Sequence, residues 1–139
     1  MDLADIPLFA MIRGKLGYLS ERQKVIAENV ANANTPGYKP HELKPFSFQA
    51  QVQAQATSAS SMAVTQPGHM TPPHASGSAS VAKPVVTKDS ETTLDGNSVV
   101  LEDEMLKMSQ ARADYDAAIG FYQKSLDLIR LAARAPGHG

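Results

Sequence analysis

Four histidines, His41, His69, His74 and His138, are the side chains of this 139-residue chain best suited to metal or proton chemistry. His69 and His74 stand five apart in a proline-rich stretch. A metal site needs three or four ligands on a rigid frame, and nothing around this pair supplies them. His69 reads better as a packing or hydrogen-bonding residue. Ser58, Ser60 and Ser61 have no base in sequence reach and read as linker. There is no cysteine, which excludes disulfides and thiolate metal sites. The expectation is no enzyme, no catalytic or metal residue and no cofactor. A histidine-dependent cell-wall hydrolase is the alternative from another class, but the chain lacks its constellation.

What the sequence offers instead is amides. The stretch "NVANANTPGYK", residues Asn29 to Lys39, carries three asparagines, a Thr-Pro-Gly and one aromatic. Asn29 and Asn32 are three apart and share a helix face. Their amides can both donate and accept, so they suit freed helix carbonyls or a neighbour's backbone. Pro36 pushes Thr35 out of the helical region. Pro36-Gly37 fits the central pair of a type II turn, with Gly37 at positive φ. Tyr38 then leaves a fixed elbow. A capped helix end with no further role explains the same residues.

The elements that must hold this elbow are two long helices. From about Asp5 to Ala33, Phe9, Ile12, Leu16, Leu19, Gln23, Ile26, Val30 and Ala33 alternate spacings of 3 and 4. Asp5 can cap this helix, and Pro7 fits its first turn. From about Ser98 to Arg134, Leu101, Met105, Met108, Arg112, Tyr115, Ile119, Tyr122, Leu126, Ile129 and Ala133 do the same. Asn97 or Ser98 can cap it, and Glu102, Asp103 and Glu104 suit the positive end of its dipole. Pro136 and Gly137 stop it.

Two seams of similar length at opposite ends predict a mainly α fold, an antiparallel, coiled-coil-like pair of N- and C-terminal helices. Each seam has one polar exception, Gln23 and Arg112, at similar heights. They are expected to form a polar register pair or to face one neighbouring subunit. The alternative is that each reaches to solvent.

The segments are therefore residues 1–34, helix; 35–48, turn and short extended piece; 49–97, flexible linker region; 98–135, helix; and 136–139, tail. Residues 49–80 are mostly Gln, Ala, Ser, Thr, Pro and Gly, too poor in large apolar groups to offset their ordering entropy. Extended pieces are possible at Leu43–Phe48 and Val81–Thr87. "TLDGNS" (Thr93–Ser98) holds an Asp-Gly turn signal.

Composition limits the partners. Net charge is -1 with no basic block, against nucleic acid or an anionic membrane. Hydrophobic content is 42%, but much of it is alanine and aromatics are only 6%, so a large core within one chain is not expected. Gly14, Gly17 and Gly120 weaken the helices further. The chain reads as an assembly subunit, only partly folded as a monomer. No run has the roughly 18 apolar residues of a membrane span. Asp2 and Asp5 stand where a secretory signal would be cationic.

The elbow resembles the signature of the flagellar axial family of rod, hook and hook-associated proteins. Asn29, Val30, Ala31, Asn32, Thr35, Gly37, Tyr38 and Lys39 match it in register; Glu28 stands where the family usually has an asparagine. The proline in "NANTPGYK" looks most like the proximal rod members. "VTQPGHM" (Val64–Met70) is similar to their Thr-x-Pro-x-His element. "DGNSVVLEDEMLKM" (Asp95–Met108) resembles their entry to the C-terminal helix, with Val100 where an acid is common.

The resemblance implies a structural subunit of the flagellar basal-body rod at its proximal end, assembling by helix packing and transmitting torque. Implied partners are further copies, FlgC-like and FlgF-like rod proteins, the adaptor FliE, the MS ring and the type III export apparatus. Export without a cleaved signal to a periplasmic basal body follows from it. Another axial rod protein is the alternative within the class. Residues 29–32 and 35–39, Pro36 included, would then be an assembly motif.

Overall fold

A computed structural model describes residues 7–50, 52–53, 83–87, Asp89 and 91–134 of the chain. Asp5, the serines 58–61, His69, His74, His138, the "VTQPGHM" element and the stop at Pro136-Gly137 lie outside the described residues.

Two helices dominate. Helix α1 spans Pro7–Ala31 and α2 spans Leu101–Arg134. Pro7 opens α1, where its missing N–H costs nothing and its φ is already helical. Between the helices, strand β1 (His41–Leu43) pairs antiparallel with β2 (Pro84–Val86), His41 opposite Val86 and Leu43 opposite Pro84. The Thr87 N–H donates to the Pro40 carbonyl at 2.8 Å and extends the pairing. The extended piece expected at Val81–Thr87 contains β2, but the one expected at Leu43–Phe48 meets β1 only at Leu43: residues 44–47 are irregular and 48–50 helical.

The helices run antiparallel and pack against each other. Phe9 meets Tyr122 edge-on, with centroids 5.3 Å apart, and Asn29 meets Glu104 at the other end. The core is narrow. Phe9, Ile12, Leu19, Val25 and Ile26 of α1 are buried with Leu43 and Ala111. Each large side chain contributes roughly 1.5–3 kcal/mol.

The face that α2 turns to α1 differs from the expected seam. Met108, Tyr115, Tyr122 and Ile129 are half-buried, as one line of the heptad. The second line is Glu104, Ala111, Ala118 and Ser125, of which Glu104, Ala111 and Ser125 are buried. Leu101 and Met105 are exposed, and Ile119 and Leu126 half-buried. On α1, Leu16, Gln23 and Val30 are half-buried beside the buried Phe9, Ile12, Leu19 and Ile26. Small side chains let two helix backbones approach closely, so alanine and serine take the contact line while larger groups flank it. Ser125 needs no partner across the interface, because its hydroxyl donates to the Phe121 carbonyl at 2.8 Å.

The same rotation moves Arg112. The antiparallel register puts it within about one turn of Gln23 in height, but Arg112 is exposed. Among the described residues no hydrogen bond or ion pair joins the two within the chain.

Residues 83–87 and 91–97 belong by composition to the linker region. The first segment is held by its pairing with β1 and Pro40, and residues 93–97 are held against the elbow by the bonds described next. Helix α2 also begins later than Ser98. The Glu104 N–H donates to the Val100 carbonyl at 3.0 Å, so Val100 takes the N-cap place. The Asn97 side chain is engaged elsewhere, and the Ser98 backbone N–H is tied to the Tyr38 carbonyl.

Candidate functional site

The elbow is built around Asn29, which is completely buried. Its Nδ2 donates to the His41 carbonyl at 2.8 Å and to Glu104 Oε2 at 2.9 Å. Its Oδ1 accepts the His41 N–H at 2.9 Å and the Tyr38 hydroxyl at 3.2 Å. One amide thus uses its whole donor and acceptor capacity. It ties α1, the elbow, β1 and α2 at one point.

Asn32, three residues on, serves a different end. Its Nδ2 caps the Glu28 carbonyl at 2.8 Å, and its Oδ1 accepts the Thr35 hydroxyl at 3.2 Å. The turn follows as the sequence predicts. Gly37 has φ 72°, and the Tyr38 N–H donates to the Thr35 carbonyl at 3.2 Å. Thr35, Pro36, Gly37 and Lys39 are exposed, and Tyr38 is half-buried against the His41 ring. Val30 is half-buried and Ala31 exposed. Burial, then the charges of Glu28 and Glu104, push the Tyr38 phenol up, so it stays a neutral donor.

A second turn docks on the first. Its centre is Gly96, with φ 81°. The Asp95 carbonyl accepts the Gly37 N–H at 3.0 Å, and a Cβ at Gly96 would stand 3.5 Å from Gly37 Cα. The Thr93 hydroxyl bonds the Asp95 carboxylate, and this, with the Asn97 N–H, holds the Asp95 carboxyl below its usual range. Asn97, also buried, spans the two helices. Its Nδ2 donates to the Asn32 carbonyl at 3.0 Å and the Thr35 carbonyl at 2.7 Å, while its Oδ1 accepts the Val99 N–H at 2.9 Å. It satisfies freed groups at the end of α1 and the approach to α2 together.

Beneath the elbow lies a charge network. Glu104 is completely buried, and Lys107 donates to its Oε1 at 2.7 Å. Lys107 also donates to Asp89 Oδ1 at 2.8 Å and sits 3.7 Å from Glu42. Glu42 pairs with Arg22 at 3.1 Å, and Asp89 Oδ2 accepts the Val100 N–H at 3.0 Å. Burial disfavours the Lys107 charge, but the bonds and charges of Asp89 and Glu104 outweigh it and raise its ammonium well above the usual range.

Asn97, Glu104, Lys107 and Asp89 were not among the site residues expected from sequence. The sequence marks Asn97 and Glu104 as a cap, a dipole partner and part of the family-like entry to the C-terminal helix, not as partners of the elbow. Lys107, three residues after Glu104, carried an i,i+3 signal; Asp89 carried none.

The chemistry here is polar fastening. No group of three histidines, aspartates or glutamates is placed to hold a metal among the described residues, and no described helix is long and apolar enough to cross a membrane. An amide-locked elbow joining two antiparallel helices defines a helical structural subunit. A model of the flagella basal body rod proteins matches residues 18–39, from Tyr18 of α1 through the elbow. The flagellar basal body rod protein FlgB of Agrobacterium fabrum is 34% identical over 115 residues, which cover 83% of this chain and 84% of that protein. The chain belongs to the FlgB family of flagellar basal body rod proteins. Its role is structural, as a subunit of the rod, and the family is not enzymatic.

Proposed function

We propose that this subunit occupies the proximal end of the rod. There it packs helically with copies of itself and with FlgC-like and FlgF-like rod proteins. Through FliE, it joins the rod to the MS ring and the export gate and passes torque along it. It reaches a periplasmic basal body through the flagellar type III apparatus, without a cleaved signal. The elbow residues Asn29 to Asn32 and Thr35 to Lys39 hold its shape, and the exposed Thr35, Pro36 and Lys39 are available to neighbours.

The observation that carries this reading is the apolar surface the helix pair leaves over. Leu101, Met105, Leu106, Phe121, Leu128 and Leu131 are all exposed on α2. Leu101 and Met105 lie on one side of the contact with α1, Phe121 and Leu128 on the other, and Leu106 and Leu131 face away from it, so α2 has apolar faces for more than one neighbouring helix. Arg112 lies on the same exposed side as Leu101 and Met105, where it could set register with a neighbour.

The test is circular dichroism and analytical ultracentrifugation on the purified chain, with and without purified FliE. Helicity that rises on mixing, together with a heavier species, is expected. Phe121→Ser with Leu128→Ser should abolish both. A chain that stays monomeric and unchanged with FliE sinks the proximal assignment.

A further inference from the structure

The N-terminal elbow does not hold itself. Its own bonds, from Asn32 to Glu28, from Thr35 to Asn32 and from Tyr38 to Thr35, lie on an exposed turn. Water competes for such bonds, and they define a conformation weakly. The contacts that fix it come from far along the chain. Asn97 reaches the Asn32 and Thr35 carbonyls, Asp95 accepts the Gly37 N–H, and the Ser98 N–H donates to the Tyr38 carbonyl at 3.1 Å. Glu104 takes one of the two donor bonds of Asn29. The dependence is mutual, since the start of α2 has its own bonds satisfied in the same place. Val99 N–H needs Asn97 in this pose, and the completely buried Glu104 accepts from Asn29.

We infer that residues 93–104 are a latch, and that the elbow and the entry to α2 form and open as one cooperative unit. The signature turn at residues 29–39 takes its native shape only when this segment is docked. Asn97 is the positioning residue that closes it. A chain delivered end-first, from either end, carries an unformed elbow until both segments are free to meet. That consequence rests on the export reading above; the latch rests only on contacts within the chain.

Hydrogen exchange followed by NMR on the full chain tests it, without reference to export. In the wild type, the Gly37, Tyr38, Gly96 and Ser98 amides should be protected together, with the same response to added urea. Asn97→Asp keeps the acceptor for Val99 but removes both donors to the elbow carbonyls. It should speed exchange at all four amides by about tenfold or more, the loss of two buried bonds. The mid-α1 amides of Val25 and Ile26 should accelerate less. Ile12→Val, a core change remote from the latch, should leave the ratio of elbow to mid-helix rates unchanged. Protection at Gly37 and Tyr38 that survives while Gly96 and Ser98 exchange freely would overturn the latch. So would four amides unprotected in the wild type. If the latch holds but the chain is not secreted by the flagellar apparatus, only the export consequence is lost.

Discussion

Replacing Asn29 by alanine removes four hydrogen bonds at one buried point. Three are neutral and one is to the Glu104 carboxylate. A neutral bond contributes about 1 kcal/mol net, and one to a charged group about 1.5–3 kcal/mol. The His41 backbone and Tyr38 hydroxyl are half-buried, so water recovers part of their share. Glu104 is completely buried and recovers little. The expected loss is about 3 kcal/mol, against the roughly 5–15 kcal/mol that a domain has in total. In a urea titration followed by circular dichroism, a slope of about 1.5 kcal/mol/M places the midpoint about 2 M lower. Asn29→Asp is the sharper variant. It keeps the acceptor for His41 and Tyr38 but sets a carboxylate against Glu104, so at neutral pH it should be at least as damaging as alanine. The like charge and burial raise the folded-state pKa of the introduced carboxyl above its unfolded value. Stability of the variant relative to Asn29→Ala is then present at low pH and lost as pH rises through the folded pKa. An Asn29→Asp chain as stable as wild type at pH 7 would refute the reasoning, because it would mean the amide donors at this point are unused.

Gly37→Ala and Gly96→Ala each force an L residue into the left-handed region, and each should cost about 1–2 kcal/mol by thermal denaturation; a cost near zero would show that the turns relax freely. Ser98→Ala should be close to neutral in the same assay, because the Ser98 hydroxyl is buried with no hydrogen-bond partner. Lys107→Met leaves Glu104 and Asp89 without their cation. It should cost about 2–3 kcal/mol, below the figure for a fully buried pair because Lys107 keeps some exposure. The Lys107 pKa is raised on folding, so its contribution is fully present below the unfolded lysine value near ~10.4 and is lost only as pH rises above it. The wild-type advantage over Lys107→Met, measured by urea titration across pH, should therefore hold from neutral pH to about 10 and shrink beyond it.

How much of this was legible in the sequence depends on what each residue contacts. The two helices follow from apolar period, and the turn at Pro36-Gly37 from local backbone preference. Both are signals carried by neighbours in the chain. The contact line of α2 was half hidden. Met108, Tyr115, Tyr122 and Ile129 are large and apolar and count in any hydrophobic pattern. Glu104, Ala111 and Ser125 are buried beside them but are charged, small or polar, so the pattern favoured Leu101, Met105 and Arg112 instead. Burial of Glu104 has a cause seventy-five residues away in Asn29, and no local rule contains that pairing. The docking of residues 83–87, Asp89 and 93–97 was hidden for the same reason. A composition poor in large apolar groups cannot order itself, but it can be ordered by backbone bonds to a partner segment already in place.

The polarity of this elbow has a physical consequence for a structural subunit. A helix pair with a narrow core and leftover apolar surface can associate in several registers, since apolar contact is non-directional. Hydrogen bonds are directional, and a buried amide with four partners leaves one acceptable geometry. Asn29 and Asn97 thus fix how α2 is rotated about its axis relative to α1. That rotation decides which apolar side chains face out. Had Leu101 and Met105 faced α1, as the hydrophobic pattern favours, Glu104 would have turned toward solvent and the exposed faces of α2 would differ. The interior amides therefore govern the exterior surface, although they do not touch it. A variant such as Asn97→Asp should consequently alter association with neighbouring subunits even though Asn97 is buried and can contact none of them. Sedimentation of Asn97→Asp with FliE, beside a surface variant at Lys39, separates the two routes. Weakened association in both is expected; loss only in the Lys39 variant would show that the buried amides set stability alone.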